Sequence, residues 1–267
     1  MKLGYDLMLS PFPIKLSIGT LIKPTIGQIF RLGLEEYEAY QILMKLTPEN
    51  FYMTLYQGDG QSLWESFTDE QKIQLKLFNI LKTDESLIND YIQLLNFFFE
   101  ERVVYYSDSF VLIDNSYKSD DLEILPQEAF VGVIGNNSTF CQVLSLIQQI
   151  CCIYDDSENI GELKFKNSKA EQLYIRMKVA EKKQKEKEKD ENFDFSIPNI
   201  ISAVSNFHPS INPLNVWDLT MFQLIDSFER IQLGKTFGIK SLNVAVWGDK
   251  ENTFDMSEWH KNMYEKQ

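Results

Sequence analysis

The sequence predicts an α+β protein that is predominantly α-helical, and three observations support this class. Apolar residues recur at three- and four-residue spacing along most of the chain, which is typical of amphipathic helices. Two short segments rich in Val, Tyr and Ile, 102–106 and 110–114, flank a polar turn and predict a short β-hairpin in the first part. The run 181–191 contains no apolar residue and predicts a charged helix or tether before a small α/β C-terminal part.

Three regions are predicted along the chain. With 267 residues, 44% of them hydrophobic, it can hold one or two domains of ordinary size. We assign residues 1–166 to a mixed, mainly helical domain, 167–195 to a charged helix or linker, and 196–267 to a small C-terminal α+β domain. The run EKKQKEKEKDE at 181–191 holds five Lys and five acidic residues. This balance favours a solvated helix or tether over a partner-binding arm.

The first domain is predicted to begin with an extended segment and two short helices. Residues 14–23 alternate loosely in polarity and stop before Pro24, as a strand does. The two helices cover 25–32 and 35–46, and Gly33 separates them.

The remainder of the first domain combines longer helices with the hairpin. A Thr and a Gln at capping-box spacing begin a helix over 68–82, and a second amphipathic helix covers 84–102. After the hairpin, the sequence predicts a strand over 130–134 and a helix over 138–153.

Helices and one strand are predicted in the C-terminal part. The first helix covers 196–206, and the second begins after Asn215 and ends at Gly234, a residue favoured just beyond helix C-termini. Residues 239–247 place Leu, Val and Val on alternate positions and predict a strand. A last short helix starts near Ser257.

The charge balance disfavours two classes of partner. The chain has 26 Lys+Arg and 39 Asp+Glu, a net charge of −13 and a pI near 4.7. Because an acidic surface does not neutralise phosphates, we expect neither nucleic acid nor an anionic membrane as a partner. No continuous apolar signal segment and no bilayer-spanning stretch is evident in the sequence, so we expect a cytoplasmic protein.

No spacing in the sequence predicts a metal site. The two histidines, His208 and His260, share no zinc-binding pattern with cysteine or with each other. Asp249, Asp255 and Glu258 lie near His260 in the sequence, and these residues come closest to the composition of a metal-ligand group. We interpret these carboxylates as surface charge.

Two glycine-containing segments do not meet the requirements of a phosphate-binding loop. Segment 130–138 lacks the necessary Lys, and segment 234–236 follows a helix rather than a strand. Cys141, Cys151 and Cys152 lie in an apolar stretch of an acidic chain and are interpreted as small buried side chains rather than nucleophiles. We therefore expect no cofactor and a non-enzymatic protein. A metal enzyme that uses scattered carboxylates is the alternative from another class.

Aromatic residues make up 13% of the chain, and four of them lie close together near its C-terminus. A small last domain could scarcely bury all of them, and aromatic side chains dominate protein–protein interfaces. The predicted partner-binding residues are Trp247, Phe254, Trp259 and Tyr264. The acidic composition favours a basic partner.

Three segments carry a family resemblance. They are IGTLIKPTIGQIFRLGLEEYEAYQILMKLTPENFY at 18–52, NPLNVWDLTMFQLIDSFERIQ at 212–232 and NVAVWGDKENTFDMSEWHKNMY at 243–264. These segments resemble proteins encoded in the tail-morphogenesis region of phages and prophages of low-GC Gram-positive bacteria. They look most like tail assembly chaperones.

The resemblance implies a non-enzymatic phage tail assembly factor that acts in the cytoplasm of the host cell. Such a chaperone binds the tape-measure protein, keeps it soluble and recruits tail-tube subunits. The resemblance carries no catalytic residue to this chain. The alternative in the same setting is a structural virion component, such as a neck, tail-completion or baseplate protein. The sequence leaves the oligomeric state open.

Overall fold

The fold is α+β and mainly helical, as the sequence predicts. The computed structural model describes residues 2–56, 58–119, 122, 125–153, 196–249, 254–261 and 264. These residues form two compact units. The first unit contains the described residues within 2–153 and 214–226 together with Tyr264, and the second contains those within 196–213 and 227–261.

Short helices make up most of the first unit. They are α1 (Tyr5–Leu9), α2 (Ile26–Leu32), α3 (Leu34–Met44), α4 (Pro48–Asn50), α5 (Gly60–Ser66), α6 (Asp69–Gln74), α7 (Leu77–Leu81), α8 (Glu85–Phe98) and α9 (Asn137–Ile150). A π-helical turn, Phe51–Leu55, continues α4. Side chains satisfy free N–H groups at several N-termini, and Thr25 and Thr68 each form a complete capping box. The predicted helices at 25–32, 35–46, 84–102 and 138–153 are confirmed, with shifted ends.

The predicted helix over 68–82 is wrong as a single helix. The chain breaks between α6 and α7, where Leu75 adopts an extended conformation. Ile73, before the break, is 72% exposed, whereas four of the five residues of α7 are buried. The break reorients the second half of the segment so that its apolar side chains enter the core.

Two small antiparallel sheets complete the first unit. In place of one extended segment over 14–23, strands β1 (Ile14–Leu16) and β2 (Gly19–Leu21) form a hairpin. The second sheet has the order β3-β4-β5, with β3 (Arg102–Tyr106), β4 (Ser109–Ile113) and β5 (Phe130–Ile134). Ser107 and Asp108 both have positive φ, as the two-residue turn between twisted strands requires. The predicted hairpin and the predicted strand 130–134 are confirmed.

Aromatic side chains connect the sheet with the helices in the core of the first unit. The rings of Phe110 on β4 and Phe140 on α9 stack with centroids 5.9 Å apart, and Phe78 on α7 contacts both. Tyr91 on α8 packs against Phe140, and its hydroxyl donates to the carbonyl oxygen of Leu43 at 2.7 Å. The core therefore joins β4, three helices and the end of α3.

The second unit is built on helices α10 (Ile197–Phe207) and α11 (Met221–Trp247), of which α11 contributes its residues from Ser227 onward. The prediction for 196–206 is confirmed, but Gly234 does not end the second helix and 239–247 is not a strand. The helix runs through both positions and ends at Gly248, which has a φ of +75° and donates to the carbonyl oxygen of Val244 at 2.9 Å. Leu242 and Val246 satisfy helical spacing as well as strand alternation, so the short apolar pattern was ambiguous.

The C-terminal part is accordingly helical in the portion that the structure describes, since no strand of either sheet lies within 196–249 or 254–261. A 3₁₀ turn at Glu258–His260 stands where a short helix near Ser257 is predicted. The charged run 181–191 and the helical pattern before it lie outside the described residues. Among the described helices, none is both long enough and apolar enough to cross a membrane.

Candidate functional site

The C-terminal segment of the second unit packs along α11. The rings of Phe237 on the helix and Phe254 stack with centroids 5.5 Å apart. One turn later, the Lys240 ammonium pairs with the Glu258 carboxylate at 3.1 Å. Nearer the start of the helix, the Arg230 guanidinium donates a hydrogen bond to the carbonyl oxygen of Lys261 at 2.7 Å. These contacts fix residues 254–261 against the helix.

Large apolar side chains are exposed both in this segment and at the end of α11. Trp247 is 76% exposed, Met256 70% and Trp259 57%. We call these three residues the tryptophan surface. The ring of Trp259 lies beside that of its neighbour His260, with centroids 5.0 Å apart. The surface offers apolar area and indole N–H donors, which is the chemistry of protein–protein contacts rather than of catalysis.

The four predicted partner-binding residues occupy different environments. Trp247 and Trp259 are exposed, whereas Phe254 is half-buried beneath Phe237. Tyr264 belongs to the first unit and is only 6% exposed. The structure therefore brings the two tryptophans to the surface of one unit and places Tyr264 in the core of the other.

Tyr264 is held by contacts on all parts of its side chain. Its ring stacks on Tyr5 at 6.0 Å and meets the edge of Phe222 at 5.6 Å, and its hydroxyl donates to the carbonyl oxygen of Leu3 at 2.8 Å. Burial, with a smaller contribution from the Cys152 thiol, raises the pKa of Tyr264. A side chain with this environment stabilises the fold.

Sequence reasoning missed Met256 and three exposed residues on α11. Ile239, Leu242 and Val246 are 63%, 67% and 68% exposed. The prediction of a strand over 239–247 hid this pattern, because it placed Leu242 and Val246 together on one face of a strand rather than along a helix. Their i, i+3, i+7 spacing was the signal for a helical stripe.

The acidic residues near His260 serve local structure. Asp249 accepts the backbone N–H of Phe254 at 2.9 Å, and Glu258 pairs with Lys240. Asp255 accepts the N–H and hydroxyl of Ser257, and these hydrogen bonds lower the pKa of Asp255. Among the described residues, no group of three or more His, Cys, Asp or Glu is placed to hold a metal ion.

The remaining candidate residues also have structural explanations. The Nδ1 of His208 accepts the N–H groups of Ser210 and Ile211 just beyond α10. Of the three cysteines predicted to be buried, Cys151 is buried, but Cys152 is half-buried and Cys141 is exposed. Burial raises the pKa of Cys151 to about 12, so this thiol stays protonated near neutral pH. A Cβ at Gly132 would collide with the backbone of Ile18, so this glycine allows β5 to pack closely against the turn between β1 and β2.

The C-terminal part of the chain is similar to a known protein family. Residues 182–264 match the family described as the YomV second domain, which is a phage-derived domain. No curated protein and no solved structure matches this chain. The matched segment includes both exposed tryptophans, so the tryptophan surface lies within the part of the chain that is similar to a phage-derived domain.

Proposed function

We propose that this chain is a non-enzymatic phage assembly protein that binds another phage protein through the tryptophan surface. The observation that supports this most is the 76% exposure of Trp247 and the 57% exposure of Trp259 inside the segment that matches a phage-derived domain. Tryptophan is the residue type most enriched among interface positions that contribute most of the binding energy.

The arrangement of this surface supports a binding role. Lys240, Glu258 and Arg230 hold the C-terminal segment against α11, so Trp259 is presented from a fixed backbone. A pre-organised aromatic anchor loses little conformational entropy on association. Isolated exposed apolar residues are ordinary, but Trp247, Met256 and Trp259 belong to one unit and one short stretch of sequence.

The finer role that we propose is tail assembly chaperone. The similarity of residues 18–52, 212–232 and 243–264 to tail-morphogenesis proteins supports this choice. The proposed partners are the tape-measure protein, which this chain would keep soluble before assembly, and the tail-tube subunits recruited to it. We place this activity in the cytoplasm of the host cell.

The test is co-purification of the tagged chain from cells that express the complete set of tail genes, with mass spectrometry of the bound proteins and of finished particles. We expect the tape-measure protein in the bound fraction and none of this chain in particles. Stoichiometric incorporation into particles would instead identify a structural virion component. Absence of every tail protein from the bound fraction would contradict the proposal.

Two alanine variants and a matched control assign the interaction to the surface. Trp247→Ala and Trp259→Ala should each lower recovery of the partner while the far-UV circular dichroism spectrum is retained. Phe12→Ala is the control, because Phe12 is 73% exposed but lies in the first unit. Equal recovery with all three variants would show that the partner binds elsewhere.

A further inference from the structure

The backbone of the three-stranded sheet defines which groups of each strand point outward. In an antiparallel sheet, the N–H and C=O groups of successive residues point alternately to the two sides of their strand. The side-chain amide of Asn96 accepts the Val103 N–H at 2.8 Å and donates to the Val103 carbonyl oxygen at 2.9 Å. Both backbone groups of Val103 therefore point away from β4. The groups of its partner on β4, Leu112, then point toward β5.

The same alternation leaves the outer edge of β5 open at Val133. Gly132 pairs with Leu112, so its backbone groups point toward β4, and those of Ile134 do the same. The N–H and C=O groups of Val133, which lies between them, point away from the sheet. Within the part of the chain that the structure describes, no hydrogen bond reaches these two groups. Val133 is 48% exposed and Val131 is 39% exposed.

Two other strand edges of the first unit are covered. Asn96 occupies the outer edge of β3, and the Glu100 N–H donates to the Thr20 carbonyl oxygen of β2 at 2.9 Å. Exposed edges in proteins are commonly protected by charged side chains, by proline or by a covering element. The segment AFVGVIGNNS at 129–138 contains neither a charged residue nor proline. The edge of β5 therefore lacks the protection that its own sequence could supply.

We propose that β5 pairs with β5 of a second copy of this chain, antiparallel about a twofold axis at Val133. An added strand satisfies an outward N–H and an outward C=O of the same residue together. Val133 of each copy donates to and accepts from Val133 of the other, and Val131 lies opposite Gly135. The same edge serves on both copies, which is the self-complementarity that an isologous interface requires.

The charge distribution favours a second copy over a strand of opposite charge. The chain is 24% charged and has a net charge of −13, yet the ten residues at 129–138 carry no charge. Two copies can therefore approach along β5 without bringing like charges together. A basic strand, by contrast, finds no carboxylate in this segment to pair with. In the proposed pair, the exposed valine side chains of the two copies contact each other across the strands.

The expected dimer is concentration-dependent. One pair of short strands buries less than the roughly 1,200 Å² of a standard stable interface. Pairing converts two three-stranded sheets into one sheet of six strands, which is within the common range of sheet sizes. Association should therefore appear as the protein concentration rises, rather than as an obligate dimer.

Sedimentation velocity of the full chain and of Val133→Pro tests the strand pairing. We expect a reversible shift from monomer to dimer in the unchanged chain. Proline removes the outward N–H but no hydrogen bond to β4, so the variant should remain folded by far-UV circular dichroism and associate at least about tenfold more weakly. Val133→Thr keeps the N–H and the branched side chain and should retain the dimer. A monomer at every concentration, or a dimer that Val133→Pro leaves unchanged, would overturn the proposal.

A pair of lysine substitutions tests the position of the twofold axis without altering the backbone. Val133→Lys places like charges opposite each other in the dimer, so association should be lost. Tyr106→Lys makes the same charge change at a 45% exposed position of β3 and should retain the dimer. Because each added lysine reduces the overall negative charge, loss in Val133→Lys cannot come from general repulsion between copies. Equal association of the two variants would contradict the proposed contact.

Cysteine cross-linking tests the orientation and register. In a Cys141→Ser background, Val133→Cys should form a disulfide between two copies on mild oxidation, because the two residues face each other. Val131→Cys is the control, because the two 131 positions lie four residues apart along the strands, roughly 13 Å, which is too far for a disulfide. Equal or faster cross-linking of Val131→Cys would overturn the antiparallel register.

Hydrogen exchange identifies the occupant of the edge. The amide of Val133 should become protected as the concentration of the isolated chain rises. Protection that appears only when tail proteins are added would identify a strand of another protein and overturn pairing with a second copy. Trp247→Ala should leave the dimer intact, so failure here is distinguishable from failure of the proposed function.

Discussion

The two units use their apolar side chains in different ways. Among the described residues, the largest fully buried side chains, which include Tyr91, Phe110 and Phe140, all belong to the first unit. The described part of the second unit instead leaves Leu242 and Trp247 about two-thirds or more exposed. Similar residue types therefore form a closed core in one unit and an exposed surface in the other, and this exposed surface is where we propose that another protein binds.

The number of elements available in each unit explains this difference. In the first unit, strand β4 is covered so completely that Phe110, Val111, Leu112 and Ile113 are all buried. In the second unit, as far as the structure describes it, Phe254 stacks on Phe237 of α11, and Phe207 of α10 lies beneath the Lys235 ammonium group. Ile239, Leu242, Val246 and Trp247 of the same helix remain exposed.

The largest expected effect is on the closed core. Phe110→Ala removes a ring that packs against Phe78, Tyr105 and Phe140, and it should lower the free energy of unfolding of the first unit by about 3–5 kcal/mol. Urea denaturation followed by far-UV circular dichroism measures this value. Phe12→Ala, at a 73% exposed position of the same unit, should change it by no more than about 0.5 kcal/mol. Equal effects of the two variants would contradict the assignment of Phe110 to the core.

A pair of glycine substitutions gives the next largest contrast. Gly132→Ala forces a Cβ against the Ile18 backbone and should destabilise the first unit by about 1–3 kcal/mol. Gly234→Ala should act in the opposite direction and stabilise the chain by up to about 1 kcal/mol, because its Cβ enters open space and alanine favours helix. Urea denaturation of both variants decides the signs. The same sign in both would show that the two glycines have similar surroundings.

These contrasts also show which features the sequence could predict. Capping residues and turn residues are local signals, so the hairpin at Ser107 and Asp108 and the helices α2, α3, α8 and α9 were predictable. The break between α6 and α7 depends on which apolar residues the core accepts, and no local signal marks it. The pattern over 239–247 fits helix and strand alike, and only contacts such as Phe237 with Phe254 decide between them.

The candidate site was predictable in the same limited way. Aromatic clustering identified Trp247 and Trp259 as surface residues, because a tryptophan on a small unit has few places to be buried. Tyr264 has the same sequence neighbourhood but is buried beside Tyr5, more than 250 residues earlier in the chain. Sequence proximity could not separate a surface residue from a core residue whose partners are so distant along the chain.

Tyr264→Phe tests the assignment of this residue to the core of the first unit. The change keeps the ring but removes the hydroxyl that donates to Leu3, so the free energy of unfolding should fall by about 1 kcal/mol. Tyr106→Phe is the control, because Tyr106 is 45% exposed and the same atom is removed. The measurement is again urea denaturation. An unchanged value for Tyr264→Phe would show that the Leu3 carbonyl finds another donor.

The smallest expected effect on stability belongs to Trp247. Trp247→Ala removes a side chain that is 76% exposed, so the free energy of unfolding should change by no more than about 0.5 kcal/mol. Trp64→Ala removes the same atoms from a site that is 9% exposed and stacked on Tyr52 at 5.9 Å, and it should cost about 3–5 kcal/mol. Because the substitution is identical, the difference between the two values reports the burial and ring packing that Trp64 has and Trp247 lacks. A large loss of stability in Trp247→Ala would place this side chain in a core, and the tryptophan surface would then have no free anchor for a partner.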